Sequence, residues 1–322
     1  MGAEITVAVA HVPGRRWPKY LWVIDGFRRA GCRVLSVRSL AALAEADKIA
    51  DLVVLGQRGG GLEINALANM AEERRAAWVQ WWFDLVAPDP TLPLSEQPVL
   101  RRPNGEETEH LRLMRRLDRV FVKERAFLPD YRALRVHARW LDQGGPEPAD
   151  EPCRYDATPE FDACFVGTFS RGKWDRRHAV NVLLSEGCSV AWAGAGGSPP
   201  PGVQPFGRID WAEWPDFVSR AACCLCVDAR HDVEGYWSDR TWMACAAGAC
   251  VVRRRTPGFP PDPGGAVFQY ETDEELLATV ARLRGDQSQR AAAGKVNRRW
   301  VALQHTYQHK CQELIEQCRD ML

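Results

Sequence analysis

The sequence predicts an α/β protein of two doubly wound, Rossmann-like domains, and three observations carry that expectation. Short apolar runs alternate with segments of helical period, the pattern of a parallel sheet covered by helices on both faces. Near the middle, the Gly- and Pro-rich stretch Gln143 to Pro152 interrupts this rhythm, which then restarts. At 322 residues the chain is long enough for two ordinary domains and too long for one small core. The expected division is 1–145, 146–300 and a terminal helical segment, 301–322.

The elements follow in order. Ile5 to Ala10 is a buried strand, and the loop after it leads to an amphipathic helix from Tyr20 to Ala30, closed by Gly31. Arg33 to Val37 and Asp51 to Leu55 are further strands. Glu63 to Arg75 is helical, and Ala77 to Phe83 is a strand that ends at Asp84. The stretch from Ala87 to Gly105 is rich in Pro and polar residues, so it reads as a long loop. Arg119 to Val122 and His137 to Leu141 complete the first sheet.

In the second half, Phe161 to Gly167 is a strand, Trp174 to Glu186 a helix and Ser189 to Ala193 a strand that ends at Gly194. Trp211 to Arg220 is helical. Ala221 to Val227 is a buried strand that empties into a loop of ionisable groups, Asp228 to Gly235. Ser238 and Asp239 start a short helix that Gly248 ends, and Ala249 to Val252 is the next strand. Gln287 to Leu322 reads as helix.

Composition narrows the function. The 42 basic and 42 acidic residues cancel, which argues against a global field for nucleic acid or membrane. Up to Gly145 there are 22 Lys and Arg against 18 Asp and Glu, a small basic excess in the first half. Eleven cysteines without a secretory signal fit buried thiols in a reducing compartment, and the expected location is cytoplasmic. Cys223 and Cys226 form a CxxC, but no second pair at zinc spacing follows, so a strand is expected there and no metal site. No segment is long and apolar enough for a membrane span.

Candidate sites lie where strands end. Arg240 stands in the first turn of a helix that follows a buried strand, where a guanidinium meets a diphosphate. Gly167 to Lys173 also joins a strand to a helix, and its amides, Arg171 and Lys173 suit a phosphate, although an ordinary turn with two surface cations has the same pattern. Asp84, at a strand C-terminus, is placed as a general base, and a helix cap is the competing reading. His11, at the end of the first strand, shares that geometry. Arg15, Arg16 and Trp17, in the loop after it, mix cations with an aromatic as acceptor binders do.

Several of these residues carry a family resemblance. Ser238-Asp239-Arg240 with the run Ala244 to Val252 resembles the donor-site segment of the CgeB-type (spore-maturation-like) glycosyltransferases, and Phe165 to Gly167, Trp192 to Gly194 and His305 to Lys310 match that family in order. The resemblance covers Phe161 to the end, and Trp81 to Asp84 is its best point in the first half. It implies a GT-B fold with two domains facing across a cleft and the terminal helix returning to the first. It also implies a donor set of Gly167, Thr168, Arg171, Lys173, Gly194, Glu234, Asp239 and Arg240. Many retaining GT-B enzymes hold two glutamates eight residues apart in this loop, but here His231 and Asp239 stand at that spacing.

The resulting expectation is transfer of a hexosyl or pentosyl group from a nucleotide-diphosphate-sugar, a UDP-sugar, to a hydroxyl. Asp84 and His11 are the catalytic candidates, and no bound cofactor or metal is expected. The acceptor is either a hydroxymethylated base of phage DNA or a protein, spore or cell-surface glycan. A GT-B-shaped nucleotide-sugar epimerase would share the donor site and need no acceptor.

Overall fold

The computed structural model describes residues 4–11, 18–56, 62–83, 86, 89, 91–150, 153–169 and 174–322. The chain forms two compact units. The first comprises Met1–Gln143, Val233–Tyr236 and Tyr307–Leu322, and the second Gly144–Asp232 and Trp237–Thr306.

The first unit holds β1 (Thr6–Ala10), β2 (Arg33–Val37), β3 (Leu52–Leu55), β4 (Ala77–Trp81), β5 (Arg119–Val122) and β6 (Ala138–Trp140). They pair in the order β2-β1-β3-β4-β5-β6, and every pairing is parallel. The helices are α1 (Pro18–Arg29), α2 (Leu40–Asp47), α3 (Ile64–Met70), α4 (Glu109–Arg116) and α5 (Leu128–Ala133). The apolar runs become central strands because both faces are covered, so β1, β3 and β5 are buried along their whole length. Trp78, Trp81 and Trp82 are fully buried, where large rings contribute most to the core.

The second unit holds β7 (Phe161–Val166), β8 (Val190–Ala193), β9 (Gln204–Pro205), β10 (Ala221–Cys226), β11 (Val251–Arg254) and β12 (Val267–Tyr270). Their order, β12-β11-β10-β7-β8-β9, is again parallel throughout. The chain winds outward from β7 through β8 to β9, then crosses back to β10 and winds the other way. Neighbours β7 and β10 therefore mark a topological switch point, where side chains at the strand C-termini border a crevice. The helices are α6 (Trp174–Ser185), α7 (Trp214–Ser219), α8 (Asp239–Ala247), α9 (Asp273–Gly285) and α10 (Gln287–Trp300).

Three expectations need adjustment. The segment from Gln287 onward is not one helix. A π-helical turn, Val301–His305, and an extended Thr306 separate α10 from α11 (Tyr307–Cys318). The break occurs because the Gly145 N–H donates to the His305 carbonyl at 2.7 Å, drawing that backbone into a bridge between Gly145 and Thr306. The Gln143–Pro152 stretch is likewise not a free linker. Gln143 is buried and donates to the Phe83 carbonyl, and Gly145 lies so close to α8 that a Cβ would stand 2.9 Å from the Trp242 carbonyl. The long loop after β4 is tied down at Gln97, whose amide donates to the carbonyls of Asp89 and Leu92 at 2.7 and 2.8 Å.

In the first unit α11 packs on α1, where Gly26 allows an approach that leaves 2.8 Å between its would-be Cβ and the Tyr307 backbone. All eleven cysteines are free, and no helix of the described residues is long and apolar enough to cross a membrane.

Candidate functional site

The second unit's switch point is built around two buried guanidiniums. Arg240, in the first turn of α8, donates through Nε to the Val166 carbonyl and through Nη1 to the Val227 carbonyl at 3.2 Å. These carbonyls lie at the C-terminal ends of β7 and β10, so one side chain joins the two strands at their divergence. Arg176, on α6, donates to the same Val227 carbonyl at 3.2 Å and to the Thr168 carbonyl at 3.1 Å. The Phe165 ring lies within cation–π reach of both, 5.8 Å from Arg176 and 5.0 Å from Arg240. Arg176 is 3% exposed and Arg240 8%. Strand-end carbonyls and a ring face hold both guanidiniums in place, so the crevice sets two buried positive charges beside the ends of the two strands.

Two glycines make room. Gly167 has φ +150°, and a Cβ there would stand 2.5 Å from Arg240 Nη2. A Cβ on Gly194 would stand 1.9 Å from the Gly167 carbonyl oxygen, so the β7 and β8 ends approach this closely only because Gly194 lacks a side chain. Trp192 Nε1 donates to that same carbonyl at 2.8 Å.

The helix that presents Arg240 is fixed from several sides. Ser238 is its N-cap, its hydroxyl accepting from the Arg240 N–H at 3.3 Å, and Gly248 closes it with φ +82°. Asp239 is therefore the first helical residue rather than the cap, and it accepts from the Ser238 hydroxyl at 3.2 Å. Trp242 stacks on His305 at 4.0 Å with the rings 7° from parallel, and meets Phe259 at 5.6 Å. His305 thus supports α8 by packing.

Two features of the loop after β10 escaped the sequence reading. Asp228 is 2% exposed and accepts from the Ser238 N–H at 2.7 Å and from Arg253 at 2.8 Å. Arg253 is fully buried and lies 3.7 Å over the Phe259 ring. This pair sets the entry into α8 from behind. His231 Nδ1 pairs with Asp175 of α6 at 2.7 Å, and Arg254 approaches the other Asp175 oxygen at 3.6 Å. His231, Asp175 and Arg254 come from three segments at the same sheet edge, each partly exposed. The signal available in the sequence was their common position at strand ends or a first helical turn, which alternation alone does not rank.

Of the expected donor residues, the structure brings Gly167, Thr168, Gly194, Asp239 and Arg240 together. Glu234 is grouped with the first unit, where its carbonyl accepts from the Ala126 N–H at 3.3 Å and its carboxylate lies 3.9 Å from Arg125. Trp140 holds the segment there by donating to the Gly235 carbonyl at 3.1 Å. Arg171 and Lys173 lie outside the described residues, as do Asp84, Arg15, Arg16 and Trp17.

In the first unit, the switch point lies between β1 and β3, and its described residues are neutral or aromatic. His11 is buried, pairs through Nε2 with the Ser36 hydroxyl at 2.7 Å and stacks on Tyr20 at 6.0 Å. Tyr20 meets Phe83 edge-on at 5.9 Å, and its ring fills the space that a side chain on Gly56 would need. His11 is therefore packed among partners. Among the described residues no cluster of three or more His, Cys, Asp or Glu is arranged to hold a metal.

The two sheets, their strand orders and the doubly wound connections define an α/β protein of the GT-B class. A family model described as glycosyl transferase-like matches residues 156–316, half of the chain, and the chain belongs to that family. Solved structures of similar fold include Anabaena Alr3699/HepE in complex with UDP and glucose, at 12% identity and TM-score 0.62, covering 99% of this chain and 100% of that one. T4 phage BGT in complex with UDP-glucose aligns at 12% identity and TM-score 0.60, covering 99% of both chains. The N-terminal domain of Candida albicans trehalose-6-phosphate phosphatase aligns at 8% identity and TM-score 0.63, covering 100% of this chain and 97% of that one. No curated protein sequence matches.

Proposed function

We propose that the protein is a CgeB-type glycosyltransferase that moves a hexosyl group from a UDP-sugar to a hydroxyl acceptor. The observation that carries this reading is the pair of buried guanidiniums, Arg176 and Arg240, beside the side-chain-free Gly167 and Gly194 at the β7–β10 switch point. A diphosphate needs concentrated positive charge with backbone close at hand, and this crevice supplies both. The N-terminus of α8 adds its dipole. Two similar folds were solved with UDP or UDP-glucose, which supports uridine as the base.

The donor binds to the second unit in this reading, and the first unit supplies the acceptor side. The acceptor oxygen attacks the anomeric carbon, and the bond from that carbon to the diphosphate breaks. UDP leaves with the bonding electrons, stabilised by Arg240 and Arg176. Asp84 takes the acceptor proton as general base. His231, oriented by Asp175, is the described histidine best placed to donate a hydrogen bond to the diphosphate.

The test is UDP release from UDP-glucose with and without acceptors: hydroxymethylated duplex DNA, unmodified DNA, peptides and simple glycosides. UDP released only with an acceptor, together with a glycosylated product, supports the transferase. A change of the sugar's configuration without any acceptor makes the protein an epimerase instead.

A further inference from the structure

Along the open edge of the first unit's sheet runs a cavity of about 800 Å³, lined by Arg125, Arg132, Arg135, His137, Arg139 and Trp140 among others. It follows β6, which has a partner strand on one side only, and the end of α5. Four guanidiniums and an imidazole converge there, and no carboxylate belongs to the lining. Three acids lie near the lining residues, among them Glu313, which accepts from Gln317 at 3.4 Å. Glu234 is 3.9 Å from Arg125, with both side chains at least half exposed, and Asp320 is engaged by Arg119 at 2.6 Å. Arg132, Arg135 and Arg139 are exposed and form no ion pair among the described residues. Like charges that outnumber the acids beside them raise the energy of the folded state, and an anionic ligand would relieve it.

Arg135 is a second, independent observation. Its φ of +58° makes it the one non-glycine residue with positive φ among the described residues, and it closes α5 where glycine is the usual choice. An arginine at such a position carries backbone strain that its side chain must justify, and that side chain lines the cavity. Edge charges also keep a strand from pairing with another chain, but one or two suffice for that, and edge protection does not ask for a strained arginine.

We propose that this trough is a binding site for a phosphodiester chain, the backbone of a nucleic acid, distinct from the crevice of the second unit. Arginine in place of lysine favours it, because the planar guanidinium grips phosphate through two parallel hydrogen bonds. A single phosphate would be satisfied by two such forks, whereas four guanidiniums along an open trough match a ligand that carries several. His137 directly precedes β6 and Arg139 lies within it, and both line the cavity. Arg125 lies over the Trp140 ring at 5.6 Å, which fixes one cation at the end of the row. This site goes beyond the transferase reading, since its occupancy does not depend on donor chemistry.

The experiment is fluorescence anisotropy of a labelled duplex oligonucleotide with the full chain, titrated at several salt concentrations without nucleotide-sugar. The wild-type protein is expected to bind with an affinity that falls steeply with salt. Arg132→Ser with Arg139→Ser should weaken binding by roughly 10- to 100-fold and shallow the salt slope by about two units. Arg135→Gly should weaken binding while the melting temperature stays or rises, because glycine relieves the positive φ. That opposition separates a ligand role from a structural one, and UDP affinity should be the same in all variants. Wild-type binding that is insensitive to salt, or variants that bind DNA like the wild type, would overturn the proposal. So would tight binding of inorganic polyphosphate without any binding of nucleic acid.

Discussion

The two sheets of this protein are built alike, and their switch points carry opposite chemistry. In the first unit, the edge between β1 and β3 is lined by a histidine paired with a serine hydroxyl and by the rings of Tyr20 and Phe83. In the second, the edge between β7 and β10 is lined by Arg176 and Arg240, held against strand-end carbonyls, with the Asp228–Arg253 pair behind. Parallel strands and short connections fix where a crevice forms, and the loop residues decide what enters it. Aromatic rings among the described residues of one edge suit a hydroxyl-bearing acceptor, and two buried guanidiniums at the other suit a diphosphate.

Several variants break or sharpen that contrast. The largest effect is expected for Asp84→Asn, which should lower turnover by roughly 10²–10⁴ and leave UDP affinity unchanged, assayed by single-turnover kinetics and calorimetry. An Asp84→Asn rate near the wild-type value would move the base elsewhere, the departing phosphate included. Asp228→Ala comes next. It leaves Arg253 buried without its carboxylate and should cost about 3–5 kcal/mol in urea unfolding, confined to the second unit. His231→Asn should reduce turnover by roughly tenfold and UDP affinity less, since one hydrogen bond is lost. His11→Phe should change turnover by less than about threefold, as befits a packed side chain rather than a catalytic one. A larger loss would return His11 to the chemistry.

Titration offers a subtler contrast. Eight of the eleven cysteines lie in the second unit, and burial pushes the thiols of Cys223, Cys226 and Cys245 well above their ordinary value and that of Cys250 up to about 12. A thiol whose folded pKa is raised contributes stability that is complete below the unfolded value of about 8.5 and is lost as pH rises through the folded value. Burial raises the thiols of Cys32, Cys311 and Cys318 in the first unit too, so both units should lose stability in alkali, the second more because it holds more such thiols. In the first unit, burial opposes ionisation of Asp118, but the paired Arg74 guanidinium and the Trp78 N–H outweigh it and hold its pKa low. That contribution is present above the unfolded value of about 3.9 and is lost as pH falls through the folded one. Hydrogen exchange of each unit at the pH extremes checks both directions, and equal responses would remove the contrast.

Much of this fold is legible in the sequence, and the limits have physical causes. Apolar runs bounded by Gly and charged residues mark β1, β2, β5, β7 and β10 almost to the residue, because buried parallel strands have no other composition. The helices α2, α4 and α9 went unread although Ser39, Thr108 and Thr272 cap them, each accepting from an amide three residues on. In α9 the buried Leu276, Val280 and Leu283 also recur at helical spacing, so cap and stripe together mark that helix. Arg176 looked like one cation among several in a polar helix, and only the fold sets it beside the Val227 carbonyl. Glu234 shows the converse. Four residues separate it from Asp239, yet the chain between them passes from one unit to the other, a boundary that the sequence does not mark.

The central claim is that the second unit's buried cations hold a nucleotide diphosphate. Isothermal titration of UDP, UMP and uridine into the wild type, Arg240→Ala, Arg240→Lys and Arg176→Ala tests it most directly, with melting curves to certify folding. The account predicts that UDP binds far more tightly than uridine. Each alanine variant should lose about 1.5–3 kcal/mol of UDP affinity, the scale of a charge-assisted hydrogen bond, and none of uridine affinity. Arg240→Lys should recover only part of that loss, since an ammonium cannot reproduce the fork between the two strand ends. Equal affinity for UDP in the wild type and in folded Arg240→Ala and Arg176→Ala variants would contradict the claim.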